Sequence, residues 1–148
     1  MSFLSSMNIS ASAMTAQRLR LDIASENIAN IDTTRTEAGG PYRRKMVVFE
    51  ARNETDFRKA FINAAGISRK QGVGGVRVSQ IAEDTSPFKF VYNPEHPDAD
   101  ENGYVQMPNV DLIKETVDSM SATRSYEANI TAFNAIKMMA GKALEIGK

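Results

Sequence analysis

Apolar residues near the C-terminal end of the chain recur three or four residues apart, over a long stretch without proline. The repeating positions are Val110, Ile113, Val117 and Met120, then, after a shift near Thr123 and Arg124, Tyr126, Ile130, Phe133, Ala140 and Leu144. This spacing predicts one long helix from Asn109 to Ile146, with Asn109 as its N-cap. At about 1.5 Å per residue the helix is on the order of 55 Å long, so we expect its apolar seam to pack against another helix.

The N-terminal stretch from Ser2 to Ile31 also lacks proline and glycine, which predicts a second long helix. Two apolar series repeat along it with a spacing of seven residues: Met7, Met14, Leu21 and Ile28, and Ile9, Ala16 and Ile23. The two series lie roughly 200° apart around a helix, which indicates two different neighbours. We expect the first series to face the C-terminal helix and the second to face a different neighbour.

The middle of the chain is predicted to be β-rich. Strands are expected at Met46 to Phe49, within Val73 to Asp84 and at Phe88 to Tyr92, while Pro94 to Pro108 is expected to be coil. Glu54 to Ala65 fits a short helix or a loop equally well. The predicted fold is therefore α+β, with two long terminal helices packed as an antiparallel coiled-coil-like pair. Its parts are a terminal domain made of the two helices, residues 2–31 and 109–146, and a small β-rich middle domain with its linkers, residues 32–108.

Composition excludes several classes of protein. The chain has 148 residues with 18 basic and 18 acidic side chains, so no net charge draws it to nucleic acid or to an anionic membrane. Without cysteine it can form neither a disulfide nor a thiolate metal site. The N-terminus has no early basic residues and no continuous apolar core, and no apolar run is long enough to span a bilayer. We therefore expect neither a Sec signal peptide nor membrane insertion.

The sequence contains only weak signals for a metal, phosphate or catalytic site. Asp98, Asp100, Asn102 and Gly103 follow the opening of a calcium loop, but its twelfth position is Asn109 instead of a bidentate glutamate. His96 is the only histidine, so no second imidazole can complete a metal or nucleophile-base pair. The glycines at 72, 74 and 75 precede a strand, which favours a turn or bulge over a phosphate loop. We predict no metal, no cofactor and no enzymatic activity.

Several short motifs resemble the axial proteins of the bacterial flagellum, the rod and hook family. In the N-terminal helix they are Ser12 to Thr15 (SAMT), Arg18 to Asp22 (RLRLD), Asn27 to Asn30 (NIAN) and the pair Thr33-Thr34. Toward the C-terminus they are Gly103 to Asp111 (GYVQMPNVD) and Ala122 to Asn129 (ATRSYEAN). The short length, with Gly39 to Lys45, Glu95 to Asp98 and Lys142 to Gly147, is similar to the proximal rod members of that family.

The resemblance implies a non-enzymatic building block of the flagellar basal body. In this family the terminal helices form the inner layer of a hollow helical tube, which transmits torque and passes export substrates, and the middle faces outward. Partners would be other copies of the chain and other rod proteins. In such a tube Ile9, Ala16 and Ile23 would face neighbouring copies. Such a protein would leave the cytoplasm through the flagellar type III export apparatus and reach the periplasmic rod without a Sec signal.

Assembly and helix packing are assigned to sixteen positions that carry the apolar stripes and one motif asparagine. They are Met7, Ile9, Met14, Ala16, Leu21, Ile23, Ile28, Asn30, Val110, Ile113, Val117, Met120, Tyr126, Ile130, Phe133 and Leu144. The competing interpretation is a soluble coiled-coil adaptor or regulator with a small β domain, responsive to ions through the Asp98 loop. A hydrolase built on Asp98, Asp100 and His96 is a third.

Overall fold

The structure, a computed structural model, describes residues 3–37, 39–52, 61, 64–65 and 74–146. Helix α1 comprises Phe3–Ala29 and helix α2 comprises Leu112–Ile146. The strands between them are β1 (Lys45–Ala51), β2 (Val76–Glu83), β3 (Lys89–Tyr92) and β4 (Tyr104–Met107). The predicted α+β class, with a long helix at each end and a β-rich middle, is confirmed. The alternatives for Glu54 to Ala65 fall almost entirely outside the described residues.

The strands form two small antiparallel sheets. In the first, β1 pairs with β2, and the flanking backbone bonds join Arg44 to Asp84 at one end and Arg52 to Gly75 at the other. In the second, β3 pairs with β4, with Lys89 opposite Met107 and Tyr92 opposite Tyr104. The prediction that Pro94 to Pro108 is coil is wrong for β4. The short run Tyr104–Met107 shows too little alternation to be recognised alone, and it is a strand because β3 pairs with it.

Helix α2 begins after Asp111, and not at Asn109 as predicted. Asp111 Oδ1 accepts hydrogen bonds from the backbone N–H groups of Ile113 (3.0 Å) and Lys114 (3.4 Å), which is the geometry of an N-cap. The Asn109 side chain is used elsewhere: its Oδ1 accepts the backbone N–H of Arg44 at 2.8 Å. An amide carries both donors and an acceptor, so Asn109 can join two backbone segments where a carboxylate could not.

The chain forms two compact units, and parts of both long helices belong to each. One consists of Met1–Arg18, Phe49–Ser79 and Arg124–Lys148, and the other of Leu19–Val48 and Gln80–Thr123. In the first, the backbone N–H of Val76 donates to Ser12 Oγ (3.1 Å), which itself donates to the carbonyl of Ile9 (2.7 Å). Gly75, with a φ of +104°, brings the start of β2 against α1 at this point.

The second unit holds most of the fully buried side chains. They come from α1, from the segment before β1, from β4, from the residues between β4 and α2, and from the first part of α2: Ile23, Ala24, Asn27, Tyr42, Val105, Pro108, Val110, Glu115 and Ala122. Within this unit Arg20 pairs with Asp118 and Asn27 with Glu115, so rising numbers on α1 meet falling numbers on α2. The two helices are therefore antiparallel here, as predicted.

Candidate assembly site

Asn27 lies at the centre of a buried polar cluster near the end of α1. We call the side chains of Asn27, Tyr42, Arg44 and Glu115 the Asn27 network. Asn27 is 1% exposed. Its Nδ2 donates to Glu115 Oε2 (3.0 Å) and to the Lys45 carbonyl (2.9 Å), and its Oδ1 accepts from the Tyr42 hydroxyl (3.0 Å) and the Lys45 backbone N–H (2.9 Å). The amide is fully satisfied, so a polar group can be buried here without a large penalty.

Glu115 projects from the first turns of α2 into the same cluster and is also 1% exposed. Its Oε1 accepts from Arg44 Nε at 2.6 Å, while its Oε2 accepts from Asn27. A buried carboxylate is tolerated only when it is paired and hydrogen-bonded, and both conditions hold. Glu115 thus connects α2 to α1 and to the segment that leads into β1, which fixes the position of the three pieces relative to one another.

Tyr42 closes the cluster from the chain segment between α1 and β1. Burial, together with the nearby carboxylates of Glu26, Glu115 and Glu83, raises the pKa of the Tyr42 hydroxyl to about 12. The phenol is therefore a neutral donor to Asn27 throughout the physiological range. This bond requires the proton, because an ionised phenolate would face the amide oxygen without a donor.

Arg44 links this network to the end of β2. Its guanidinium lies 3.6 Å from Asp84 Oδ2, and its carbonyl accepts the Asp84 backbone N–H at 2.8 Å. Hydrogen bonds from the Ser86 hydroxyl and backbone N–H, with Arg44 nearby, lower the pKa of the Asp84 carboxyl. Asn109 Nδ2 donates to the carbonyls of Asp84 (3.1 Å) and Ser86 (3.3 Å). The segment before α2 is thereby tied to the β2–β3 connection.

Three of the motifs that resemble the flagellar family meet in this cluster. Asn27 to Asn30 supplies Asn27, Gly39 to Lys45 supplies Tyr42 and Arg44, and Gly103 to Asp111 supplies Asn109. Asn30 closes the C-terminus of α1: its Nδ2 donates to the Glu26 carbonyl (2.9 Å) and its Oδ1 accepts from the Thr33 hydroxyl (3.2 Å). These motif side chains join chain segments that are distant in the sequence.

Sequence reasoning missed the network. From the sequence Asn27 is predicted only as part of a motif, and no packing role is predicted for Glu115. The sequence does contain the two charged partners: an acidic residue at the start of a helix, Glu115, and a basic run, Arg43 to Lys45, for which no partner is predicted. Glu115 and Arg44 are 71 residues apart, so no local pattern pairs them.

The two apolar series on α1 are not divided as predicted. Ala16 and Ile23, expected to face neighbouring copies, are buried within the single chain. Ile9 is half-buried, as are all four members of the other series, Met7, Met14, Leu21 and Ile28. The assignment of faces was wrong for Ala16 and Ile23, because the side of α1 that carries Asn27 is the side that the rest of the chain covers.

The predicted seam of α2 does not pack against α1 in its first half. Val110, just before the helix, is buried, but Ile113, Val117 and Met120 are 76%, 61% and 53% exposed. We call these three residues with the exposed Leu112 the α2 outer stripe. The positions that meet α1 are Glu115 and Asp118, on the other side of the helix. Further along, Tyr126 and Phe133 are half-buried, and Ile130 and Leu144 are exposed.

The candidate calcium loop lies in the connection between β3 and β4. Asp98 Oδ2 accepts from the Thr34 hydroxyl (2.8 Å), and the Asp98 backbone N–H donates to His96 Nδ1 (3.1 Å). Beside them is an open polar pocket of about 320 Å³ lined by Thr34, Arg35, Gly40, Pro41, Asp98, Ala99, Asp100 and Gln106. Within the described part of the chain, no three acidic or histidine side chains are grouped closely enough to hold a metal ion.

Comparisons with known proteins identify the family. Residues 7–35 match the family described as "Flagella basal body rod protein", and residues 101–146 match "Flagellar basal body rod FlgEFG protein C-terminal". "Flagellar basal-body rod protein FlgC" of Bacillus subtilis is 53% identical over 147 residues, 97% of both chains. The proteins of the same name from Borreliella burgdorferi and Salmonella typhimurium are 46% and 43% identical over 99% and 100% of this chain, and 98% and 100% of their own lengths. The chain therefore belongs to the FlgC family of flagellar basal-body rod proteins.

Proposed function

We propose that the chain is a structural subunit of the flagellar basal-body rod, with no catalytic role. The observation that carries the proposal is the α2 outer stripe, whose apolar side chains stay exposed although α1 and α2 already pack together. Burying one large aliphatic side chain stabilises by about 1.5–3 kcal/mol, so a stripe of four favours association. The names of the relatives, all rod proteins, point to the same assembly.

In this proposal the terminal segments, residues 2–31 and 109–146, form the inner domain of a hollow helical tube, and residues 32–108 form the outward-facing middle. The tube transmits torque and passes export substrates. Its partners are other copies of the chain and other rod proteins. None of the described helices is long and apolar enough to cross a membrane. We infer that the chain reaches the periplasmic rod through the flagellar type III export apparatus.

The sixteen positions assigned to assembly and packing divide into three groups by their burial: buried, exposed and half-buried. Ala16, Ile23 and Val110 stabilise the single chain, since they are buried within it. The exposed apolar positions of α2 are the contacts left for neighbouring subunits: Ile113, Val117, Met120, Ile130 and Leu144. Half-buried side chains such as Met14 and Leu21 are partly available to both roles.

A charge introduced on the stripe tests the proposal. Val117→Glu should leave the monomer folded, because Val117 is exposed, but should abolish swimming and remove the protein from purified hook–basal bodies, since a carboxylate cannot be buried unpaired. The matched control is Thr123→Glu, which places the same charge at an exposed polar position of the same helix. Normal motility and normal rod content in the Val117→Glu strain would contradict the proposal.

A further inference from the structure

The β3–β4 hairpin has one exposed aromatic face. Side chains alternate across a strand, and the register pairs Phe90 with Gln106 and Tyr92 with Tyr104, so these four residues share one side of the hairpin. Phe90, Tyr92 and Tyr104 are 63%, 65% and 45% exposed, and the two tyrosine rings meet edge to face at 5.4 Å. We call these three residues the hairpin aromatic face. On the opposite side Val105 is buried and its partner Val91 is 46% exposed, so the hairpin packs against its own chain at Val105.

The loop that joins β3 to β4 is acidic. Glu95, Asp98, Asp100 and Glu101 are all exposed at the end of the hairpin next to Tyr92 and Tyr104. The one basic side chain on the two strands, Lys89, lies at the far end and donates to the Val110 carbonyl. The hairpin therefore presents an aromatic surface with a negative border.

The α2 outer stripe has the opposite charge pattern. Lys114 is exposed beside Ile113, and none of the exposed side chains between Leu112 and Thr123, a stretch described throughout, carries a carboxylate. The two acids in this stretch are already engaged, Glu115 by Arg44 and Asp118 by Arg20. The stripe is therefore an apolar surface with one positive side chain, Lys114, at its border.

We propose that the hairpin aromatic face of one copy docks on the α2 outer stripe of a second copy. Both surfaces are apolar, their borders have opposite charge, and a single chain supplies both without covering either. Aromatic residues are enriched at protein interfaces, and complementary charge at the rim selects partner and register. Because the two surfaces differ, the contact is heterologous: each copy keeps one free surface, and the series need not close into a twofold dimer.

This inference rests on the proposed function, because a contact that propagates from copy to copy suits a subunit of an open assembly. The absence of cysteine from the chain allows a direct test. Two differently tagged copies, one with Ile113→Cys and the other with Tyr92→Cys, would be produced together in a flagellated cell that lacks its own copy. Purified hook–basal bodies would then be oxidised and examined for a disulfide between the two tags.

We expect a cross-link between the two tags. It should be absent when Ser25→Cys, on the exposed side of α1, replaces Tyr92→Cys. Lys114→Glu and Glu101→Lys should each lower the yield about two- to fivefold, the range for one exposed ion pair, and together should restore it. If both tagged copies are present in the hook–basal bodies and no cross-link forms, the docking proposal is wrong and the proposed function stands. If the unmodified chain, produced in the same cell, is folded and exported but absent from the hook–basal bodies, the proposed function is wrong and the docking proposal falls with it.

Discussion

Asn27 and Glu115 show how few side chains determine the packing of this chain. Each is almost fully buried, and each has its polar atoms satisfied by partners from other segments. Removing one partner of a buried pair typically destabilises by about 3–5 kcal/mol, because the remaining group is left unpaired. The motifs Asn27 to Asn30 and Gly39 to Lys45 thus have a structural role, since they supply the partners that Glu115 needs.

Tyr42 allows a measurement of the network through pH. Its pKa is about 12 in the folded chain and near 10 when unfolded, so the unfolded state loses its proton first as pH rises. The contribution of Tyr42 to the free energy of unfolding is fully present below about pH 10. As pH rises toward 12 this contribution, on the order of 2 kcal/mol, is lost. The measurement is the free energy of unfolding by urea between pH 8 and pH 12.

Tyr42→Phe should be less stable at neutral pH by about 1 kcal/mol, because Asn27 loses a donor. It should also lose the part of the decrease in stability at alkaline pH that comes from Tyr42. Tyr92→Phe, at an exposed tyrosine, is the control and should keep the fall seen in the unmodified chain. Parallel pH curves for Tyr42→Phe and the unmodified chain would refute the role given to the buried phenol.

The residue-level details were the least predictable from sequence. Charged side chains are seldom buried, so a glutamate in the first turn of a helix is normally interpreted as solvent-exposed and favourable to the dipole. The burial of Glu115 depends on Arg44 and Asn27, which are distant in the sequence and adjacent only after folding. The role of Asn109 was mispredicted for the same reason. An asparagine before a helix is normally interpreted as its N-cap, whereas the backbone partners of Asn109, at Arg44 and Asp84, are distant in the sequence.

At the scale of elements, prediction succeeded where the pattern is long. Both helices and three of the four strands were expected, because proline-free periodic stretches and alternating apolar residues are local signals. Strand β4 has only four residues and depends on its pairing with β3. The apolar pattern of α2 correctly located the most apolar face of the helix. It did not predict that this face is left exposed by the chain. Glu115 and Asp118, which meet α1, lie on a more polar face.

The start of β2 gives a prediction about how a strand is attached to a helix. Gly75 has a φ of +104°, and a Cβ there would overlap Ser12 Oγ. Gly75→Ala should therefore combine backbone strain with a steric clash. Gly40→Ala is the matched control: its φ is +98°, and nothing lies within 4 Å of the position that a Cβ would take there. We expect Gly75→Ala to be less stable than Gly40→Ala by about 1–3 kcal/mol in urea unfolding.

A second variant separates the clash from the strain at Gly75. Ser12→Ala removes the hydroxyl that the new methyl group would meet, but it also removes the acceptor of the Val76 backbone N–H. Gly75→Ala should therefore cost less stability when it is added to the Ser12→Ala variant than when it is added to the unmodified chain. If Gly75→Ala and Gly40→Ala are equally stable, the close approach of β2 to α1 at Gly75 does not limit the side chain that the position accepts, and the prediction is wrong.

For the whole molecule, the main feature is that apolar side chains are left uncovered. Within the second unit, the Asn27 network joins the end of α1, the segment leading into β1 and the start of α2 by polar contacts, while the α2 outer stripe and the hairpin aromatic face remain exposed. A chain folded in this way can keep a defined conformation and still offer two surfaces to neighbours. Periodicity predicted a helical partner for the stripe, whereas the proposed partner is the hairpin of another subunit.

The most direct test of this account is the accessibility of position 117 before and after assembly. Val117→Cys would be treated with a maleimide reagent in the dilute purified chain and in isolated hook–basal bodies, with full labelling after denaturation as the reference. We expect rapid labelling of the free chain, because Val117 is exposed, and at least about tenfold slower labelling in the rod, where a neighbour buries it. Equal labelling rates in the two states would show that the stripe stays uncovered and would contradict the account.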